Sequence, residues 1–585
     1  MMRFGPKPIP GGTRFDFWAP DITDVELLAR GEALPMRLVG DGWFTAETPL
    51  QPGDAYAFRL SEGSVVPDPA SRAQQGGVHG PSLVPGPIAT DPAWRGRPWH
   101  EAVLYELHLG TFTPEGTLAA AAAKLPYLAD LGITAVELMP LAAFAGSRGW
   151  GYDGVLPYAV HESYGTPEDL AAFVARAHAH GLMVFLDVVY NHFGPDGNYL
   201  GAYASRFFRD DVSTPWGAAI DFREPAVRAF FIENALFWLE TYGIDGLRLD
   251  AVHAIVDEGE AHLLAELARA VRQRFGGERQ VHLVLENEDN IAGWFDGRYD
   301  AQWNDDWHHV AHVIATGETD GYYRDYAEDP VGLLLRSLAG GFVYQGEPSP
   351  HRDGAPRGEP SAHLQPTAFV DFLQNHDQIG NRAFGERLTR LAPVEAVAAL
   401  QAALLLSPHV PLLFMGEEWG ATTPFLFFCD FEGPLADAVR EGRRSEFGKF
   451  AAFADPAVRA TIPDPLDLAT FESSRLDWSE GEQADHAERR RLVRDLLAIR
   501  REHIVPGLAG MAPGATIVRH GTRGFTLAWQ LTNGSVLSLQ ANLGGEPLSG
   551  FPGLPGRCLH ATPGTDPSAD RRPAWSVAAS IDQRP

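Results

Sequence analysis

Eight apolar stretches between residues 102 and 416 alternate with helical patterns, and this alternation limits the fold more strictly than any other feature of the sequence. Apolar runs of strand length that are separated by helices predict parallel strands buried on both faces of a sheet. Eight such strands favour a closed (β/α)8 TIM barrel, an α/β fold, over an open sheet. The predicted strands are AVLYELHL (102–109), ITAVELMP (133–140), LMVFLDVV (182–189), IDGLRLD (244–250), VHLVLE (281–286), AQWN (301–304), AFVDFLQ (368–374) and VPLLFMG (410–416).

The chain of 585 residues is too long for one hydrophobic core, and β-like segments flank the predicted barrel on both sides. Residues 1–90 contain short runs such as TRFDFWAP and AYAFRL between Gly, Pro and Asp, which predict an N-terminal β-sandwich. A Pro- and Gly-rich linker at 78–92 would lead into a barrel domain at 95–505. Residues 510–585 return to the β-like pattern in the runs GATIVRH, GFTLAWQL and SVLSLQANL, which predict a C-terminal β-sandwich domain.

The charge and the apolar runs limit the partners and the location of the chain. A formal net charge of −29 repels phosphate groups, which argues against nucleic acid and anionic membranes as partners. Cys429 and Cys558 are too few for a disulfide framework or a cysteine metal cluster. The N-terminus lacks the apolar stretch of a signal peptide, and the run at 396–416 is broken by polar residues and a proline. We therefore expect a soluble, cytoplasmic protein.

Polar residues cluster where the predicted strands end. In a barrel, the carboxyl ends of the strands form the functional face, so these residues are the candidates for a site. They are Asp187, Asn191 and His192 at the third strand, Arg248 and Asp250 at the fourth, Glu286 and Glu288 at the fifth, and His376 and Asp377 after the seventh.

Arg248 and Asp250 are two residues apart in an otherwise apolar strand, so their side chains share one face of that strand. A guanidinium beside a carboxylate favours its ionised form. An ionised carboxylate at a barrel mouth can act as a nucleophile. A purely structural ion pair explains these two residues equally well when they are taken alone.

The acids on the other strands favour the catalytic interpretation. Retaining glycoside hydrolysis needs a carboxylate nucleophile and a protonated carboxyl about 5 Å apart. Asp250 and Glu286 end neighbouring strands, and nearby carboxylates would raise the pKa of an acid there. Glu288 is an alternative acid, but Glu286 ends the apolar run whereas Glu288 falls in the loop. Asp377 would stabilise positive charge in the transition state.

Aromatic side chains follow the second strand in the glycine-rich loop RGWGYDGV (148–155). The ring faces of Trp150 and Tyr152 can stack on a sugar, and Asp153 lies beside them. Packing within the loop is the alternative explanation for each ring taken alone.

The segments DVVYNH, GLRLDAVH, LENE and QNHD, in this order among eight strands, resemble the α-amylase superfamily of retaining glycoside hydrolases over about residues 95–505. The run TRFDFWAP resembles the start of the β-sandwich that precedes many branching and debranching enzymes. The resemblance implies that Asp250 is the nucleophile, Glu286 the general acid/base and Asp377 the transition-state stabiliser. It also implies that substrate-binding residues include Tyr152, Asp187, His192, Arg248, which would position Asp250, and His376.

One departure and one further motif narrow this resemblance. Amylases often place Lys-His three and four residues after the nucleophile, whereas this chain has His253 and Ala254, so His253 is a candidate contact on the leaving-group side. The stretch QWNDDWHHVAHV, with LQNHDQIGN, resembles the malto-oligosyltrehalose trehalohydrolase family. That family cleaves the α-1,4 bond next to the terminal trehalose. Residues near the trehalose side would then be Asp305, Asp306 as a substrate contact, His308 and His309.

Together with these patterns, the resemblance implies a retaining glycosidase that releases trehalose from malto-oligosyl trehalose and acts on related α-glucans. A metal site at His308, His309 and His312 is disfavoured because the spacing does not suit metal ligands. The sequence contains no P-loop and no dinucleotide-binding motif after a strand, so we expect no nucleotide or redox cofactor. The alternatives are a branching or debranching enzyme on the same scaffold, a non-catalytic carbohydrate-binding protein and an unrelated metal-dependent barrel lyase. The set of Asp250, Glu286 and Asp377 argues against pure binding, which needs no paired acid and nucleophile.

Overall fold

A closed barrel of eight parallel strands forms the centre of the molecule, in a computed structural model that describes residues 2–214, 217–448, 453 and 455–583. The strands follow one another around the barrel in chain order, and the last pairs with the first. This confirms the predicted barrel. The strands are β1 (Leu104–Leu107), β2 (Ala135–Leu138), β3 (Met183–Val188), β4 (Gly246–Leu249), β5 (His282–Leu285), β6 (Ala301–Trp303), β7 (Phe369–Phe372) and β8 (Val410–Phe414).

Helices cover the outside of the barrel, and every residue of the eight strands is buried as a result. The helix after β2 begins as predicted, because the Thr166 hydroxyl accepts from the Asp169 backbone N–H in a capping box. The main helices are Leu118–Ala122, Leu125–Leu131, Pro167–Ala179, Pro225–Thr241, Leu263–Phe275, Asp305–Thr316, Pro330–Gly340, Val394–Leu406, Gly433–Phe447, Leu468–Ser473 and Ala484–Ile499.

The N-terminal region forms two antiparallel sheets that pack face to face, which confirms the predicted sandwich. Phe17 of one sheet stacks on Phe58 of the other at 4.2 Å, so the aromatic residues of the alternating runs form the core between the sheets. The strands are Lys7–Ile9, Gly12–Trp18, Val25–Ala29, Glu32–Pro35, Arg37–Gly40, Trp43–Thr48, Ala55–Leu60, Val65–Val66 and Ser82–Leu83.

The C-terminal region consists of a five-stranded antiparallel sheet and a separate two-stranded sheet. Three strands coincide with the predicted β-like runs, and the remainder of the larger sheet comes from distant segments. The strands of the larger sheet are Thr516–His520, Gly524–Gln530, Ser535–Asn542, Arg557–Ala561 and Ser576–Gln583. The predicted outer limits of the flanking domains, residues 1 and 585, lie outside the described residues.

The apolar run at 396–416 splits into the helix Val394–Leu406 and strand β8. Among the described helices, none combines the length and the apolar character needed to cross a bilayer. Short segments between the strands shape the barrel mouth. They are the hairpin Ala142–Ala143 and Leu156–Val160 after β2, the hairpin Phe208–Thr214 and Gly217–Ile220 after β3, and the 3-10 segments Val252–Ala254 and Gly321–Tyr326.

Candidate active site

The predicted carboxylates meet at the carboxyl ends of the barrel strands. Asp187 lies in β3 directly opposite Arg248 of β4, and Asp250 follows β4 immediately. Glu286 follows the last residue of β5. Each strand therefore delivers one polar side chain to the same end of the barrel, because parallel strands all end there.

Arg248 joins three of these carboxylates. Its Nη1 donates to Asp187 Oδ2 at 2.6 Å and to Asp250 Oδ1 at 2.9 Å, and its Nη2 lies 2.8 Å from Glu286 Oε2. The guanidinium also lies 4.2 Å over the ring of Trp303, which forms the floor beneath it. Because both Asp250 and Glu286 contact one guanidinium, the two carboxyl groups lie close together at the barrel mouth.

The predicted substrate contact at Arg248 needs a correction. The side chain has 0% of its surface exposed, so no sugar atom reaches it. The structure supports the other role expected for this residue, which is to position Asp250. Arg248 affects a bound sugar only through the carboxylates that it orients.

Asp250 has a second polar partner and a strained neighbour. Asn191 Nδ2 donates to Asp250 Oδ2 at 2.9 Å and to its backbone carbonyl at 2.8 Å. Ala251 has a φ of 40°, a left-handed conformation that costs energy for a residue with a side chain. That turn aims the Ala251 N–H at Glu286 Oε2, 2.7 Å away. This hydrogen bond therefore joins the backbone that follows Asp250 to the side chain of Glu286.

Glu286 has the surroundings of a general acid. Burial raises the pKa of Glu286 well above its ordinary value, and the negative charges of Asp250 and Asp377 raise it further against the opposing Arg248 guanidinium. A raised pKa keeps the proton that the leaving oxygen needs. Glu288, the alternative acid, has a side chain that is 52% exposed and ion-paired to Arg352. The buried Glu286 is therefore the better candidate for the general acid.

His376 and Asp377 complete the mouth from the start of a short helix after β7. The Asn375 side chain caps this helix by accepting from the Asp377 backbone N–H. His376 Nε2 lies 3.6 Å from Asp377 Oδ1, and the Asp377 side chain is 38% exposed. Asp377 is thus open to the cleft, as a group that contacts the substrate must be.

Tyr152 and His192 form the side of the mouth nearest β3. The Tyr152 hydroxyl donates to Asp187 Oδ2 at 2.6 Å, and its ring stacks against the His376 ring at 5.1 Å. His192 Nε2 is 3.0 Å from the Tyr152 carbonyl. Burial raises the pKa of Asp187 to about 6 in spite of the contact with Arg248.

A cavity of about 320 Å³ extends from Glu286 and Asp377 toward the segments after β6. His253 and Asp305 lie on its wall. Gln378 Nε2 donates to Asp305 Oδ1 at 3.2 Å. Burial first, and then the charge of Asp377, raise the pKa of Asp305 to about 7.

Asp306, predicted as a substrate contact, lies behind this wall instead. Its side chain is 0% exposed and both of its oxygens are occupied, so the prediction of a direct sugar contact is wrong for this residue. It ties the wall together through Asn290 Nδ2 (2.9 Å), Val343 N (2.7 Å), Tyr344 N (3.2 Å), the Tyr326 hydroxyl and Arg357 Nη2 (3.2 Å).

The three histidines near Asp306 bond to protein groups. His308 Nδ1 lies 2.5 Å from the Leu373 carbonyl, and His312 Nε2 lies 2.8 Å from Glu318 Oε2. His309 Nδ1 lies 3.3 Å from the Tyr326 hydroxyl. Across the part of the chain that the structure describes, no group of three or more His, Cys, Asp or Glu side chains is arranged to hold a metal ion.

Two buried acids in the barrel are not among the site residues predicted from the sequence. Glu106 of β1 and Glu137 of β2 lie below the mouth, and each is 1% exposed. Glu106 contacts His376. The signal was present, because a charged residue inside an apolar strand is the feature that identified Arg248 and Asp250.

Family models match two parts of the chain. Residues 71–211 match "Alpha amylase, catalytic domain", and residues 514–579 match "Domain of unknown function (DUF3459)". The first match includes β1 to β3 of the barrel, and the second lies in the C-terminal sheet region.

Curated relatives match most of the chain. A malto-oligosyltrehalose trehalohydrolase of Deinococcus radiodurans is 46% identical, with 86% of this chain and 83% of the relative covered. One of Mycobacterium tuberculosis is 40% identical, with 91% and 93% covered. A 1,4-alpha-glucan branching enzyme of Bacillus caldolyticus is 29% identical, with 76% and 71% covered.

Solved structures share the whole architecture. A crystal structure of a Salmonella typhimurium protein assigned as an alpha amylase is 46% identical and superposes with a TM-score of 0.95 over 100% of both chains. A pullulanase of an Anoxybacillus species superposes with a TM-score of 0.74 at 17% identity, over 99% of this chain and 87% of the other, which shows a shared fold.

Proposed function

The chain belongs to the malto-oligosyltrehalose trehalohydrolase family of α-amylase-type proteins, and from this we propose that it hydrolyses the α-1,4 bond next to the terminal trehalose of a malto-oligosyl trehalose. The observation that carries the proposal is the single guanidinium that holds Asp250 and Glu286 together at the barrel mouth. The branching alternative is less favoured, because the branching enzyme is 29% identical whereas the trehalohydrolases are 40–46% identical.

In the first step, the Asp250 carboxylate attacks the anomeric carbon of the glucose that precedes trehalose. The bond from that carbon to the leaving oxygen breaks, and Glu286 donates its proton to this oxygen. Trehalose leaves with a free hydroxyl, and the shortened chain remains as an ester of Asp250. The pKa of Glu286, raised by burial, supports this role, because it favours the protonated form that the leaving oxygen needs.

In the second step, Glu286 accepts a proton from water, and the water oxygen attacks the anomeric carbon. The ester bond to Asp250 breaks, and Asp250 regains its charge beside Arg248. Asp377 faces the cleft and would stabilise the positive charge that develops on the sugar ring in both steps. Tyr152, Asp187, His192 and His376 would bind the glucose unit that is attacked.

The cavity beyond Glu286 is the proposed place of the trehalose unit. It opens on the side of the acid, where the leaving group must lie, and His253 and Asp305 line it. Their polar atoms suit sugar hydroxyls. The shortened maltooligosaccharide would lie on the opposite side of Asp250.

The proposal includes the parts of the chain outside the mouth. We take residues 1–90, 95–505 and 510–585 as the three domains, with the first as a carbohydrate-binding-like module. We place the protein in the cytoplasm and assign it α-glucans as partners, without nucleic acid or membrane. The net charge of −29 supports the absence of anionic partners.

The test supplies maltotriosyl trehalose and maltopentaose separately at equal concentration and measures the products by chromatography. We expect free trehalose from the first substrate and at least about 10-fold slower cleavage of the second, because a difference of about 1.4 kcal/mol in transition-state binding gives that ratio. Equal cleavage of both substrates would identify a general α-glucanase. New α-1,6 linkages would identify a branching enzyme.

A further inference from the structure

Two acidic side chains lie side by side inside the barrel. Glu106 of β1 and Glu137 of β2 are partners in the strand register, so both point to the same interior. Each is 1% exposed. Two buried carboxylates this close cannot both remain charged without a cation, so their partners decide which one is ionised.

Glu106 has its partner in His376. Oε1 lies 2.5 Å from His376 Nδ1, and Oε2 accepts from the His376 backbone N–H at 3.1 Å. The contact is bidentate, with one oxygen on the ring and one on the backbone. It fixes the orientation of the imidazole and leaves Nε2 on the side of Asp377, 3.6 Å from Oδ1.

Glu137 has no such partner. Among the described residues, neither of its oxygens has a hydrogen-bond donor within reach. Burial raises the pKa of Glu137 well above its ordinary value, and the charges of Glu106 and Asp187 raise it further. Burial therefore favours the neutral form of Glu137, whereas Glu106 forms an ion pair with the His376 ring.

Charged and titratable groups surround His376 on every side. From other elements, Glu106 and His108 reach it from β1 and the segment after it, Glu137 from β2 and Arg248 from β4, and Asp377 lies next to it in its own helix. Burial opposes the charged ring, but the carboxylates of Glu106 and Asp377 outweigh burial and raise the pKa of His376 to about 9. The rings of Tyr152, Trp150 and Trp303 lie 5.1, 5.5 and 6.1 Å from it.

We propose that Glu106 is a positioning residue that keeps His376 doubly protonated, with Nε2–H directed at the carboxylate of Asp377. A neutral ring that donates from Nδ1 to Glu106 would present a bare, accepting Nε2 to the carboxylate of Asp377. The cation presents a donor there instead, next to the carboxylate of Asp377. Glu106 itself, buried below the ring, acts on the sugar only through His376.

The proposal rests on the proposed function for its catalytic consequence alone. The protonation state of His376 is a property of the free protein and is measured without substrate. A failure to release trehalose would therefore leave the titration of His376 unaffected, and the two failures are distinguishable.

The first test is an NMR titration of the full chain labelled with ¹³C at the histidine Cε1 position. The signal of His376 is assigned as the one missing in H376N. We expect His376 of the native protein to titrate near pH 9. In E106Q we expect a fall of about 1–3 pH units, the range that an adjacent opposite charge contributes. Titration of the native ring at or below its ordinary value would overturn the proposal, even if E106Q fails to fold.

The second test compares E106Q with E137Q, the same substitution at register partners. We expect E106Q to lose about 10-fold or more in kcat/KM at pH 8 and to recover most of it at pH 5, where the ring regains its proton. E137Q replaces a carboxyl whose neutral form burial favours and which has no hydrogen-bond donor among the described residues, so its kcat/KM should stay within about 2-fold of the native value. Equal losses in both variants at both pH values would mean that the pair acts only in packing, and would contradict the proposal.

Discussion

Two buried arginines each hold polar groups together beside the same cleft. In the Arg248 cluster, the arginine contacts Asp187, Asp250 and Glu286, and two of these carboxylates are the proposed nucleophile and acid. In the Arg357 cluster, Nη2 lies 3.2 Å from Asp306 Oδ1, Nη1 donates to the Tyr326 hydroxyl at 2.7 Å, and Nε donates to the Glu288 carbonyl at 3.0 Å.

The difference lies in what the partners of each arginine touch. The carboxylates of the Arg248 cluster include the proposed nucleophile and acid, and they lie in a barrel strand or directly after one. In the Arg357 cluster, Arg357 and Glu288 line the cavity, whereas Asp306 and Tyr326 are fully buried, and these residues join segments that follow β5 and β6. The residues at the strand ends would carry out the reaction, whereas the segments joined by Arg357 shape the cavity. We therefore expect substitutions in the Arg248 cluster to lower kcat and substitutions in the Arg357 cluster to raise KM.

The largest effect is expected from Arg248→Lys. An ammonium group cannot contact three carboxylates at once, so Asp250 and Glu286 lose their common partner. We expect kcat to fall by about 10²–10³-fold with a smaller change in KM, measured by steady-state kinetics on maltotriosyl trehalose. Arg500→Lys is the matched control, because Arg500 is equally buried but donates to backbone carbonyls away from the cleft. A similar fall in kcat in that variant would show that general destabilisation is responsible.

A smaller effect of the opposite kind is expected from Asp306→Asn. The amide cannot accept from all five donors, so the leaving-group wall loosens while Asp250 and Glu286 keep their contacts. We expect KM for maltotriosyl trehalose to rise by about 10-fold, kcat to change by less than about 3-fold, and stability to fall by about 1–3 kcal/mol.

Asp245→Asn provides the control for Asp306→Asn. Asp245 is also fully buried, and it bonds to Trp94 and His178 at the amino end of β4, away from the mouth. It should lose comparable stability in thermal unfolding without a rise in KM. A comparable rise in KM would remove the distinction between the two clusters.

The smallest effect is expected from Asp305→Asn, which removes from the cavity wall a carboxylate whose charge acts on Glu286. Above pH 7 the ionised Asp305 raises the pKa of Glu286, and the variant lacks this charge. Glu286 would then lose its proton at a lower pH. We expect the alkaline limb of the kcat/KM profile to move down by up to about 1 pH unit, while the acidic limb stays in place. An upward movement would mean that Asp305 does not act on Glu286 through its charge.

The barrel and its charged floor could be predicted because strand residues obey a local rule. Every predicted strand contains its observed counterpart, as AVLYELHL contains Leu104–Leu107, and a charge in such a run stands out at once. Alternation along a strand then assigned Arg248 and Asp250 to one face without any knowledge of the loops. Glu106 and Glu137 obey the same rule, but they lie in the body of their strands rather than at the ends.

The cavity wall that contains Asp305, with Asp306 behind it, could not be predicted in the same way. Asp305 and Asp306 are adjacent at the start of one helix, where successive side chains point about 100° apart. One therefore faces the cavity and the other faces away, and the choice depends on the segment that carries Val343 and Tyr344, which is distant in sequence. The strands Arg557–Ala561 and Ser576–Gln583 were missed for a similar reason, since their pairing is non-local.

The most direct measurement traps the covalent intermediate that the account requires. The native protein is incubated with a maltosyl 5-fluoroglucosyl fluoride, which loses fluoride to the nucleophile and leaves a slowly hydrolysed ester, and the labelled peptide is sequenced by mass spectrometry. The account predicts one glycosyl group, attached to Asp250 in the peptide that contains GLRLDAVH. A label on Asp187 or Asp377, or an inverted anomer as the first product of natural substrate, would contradict it.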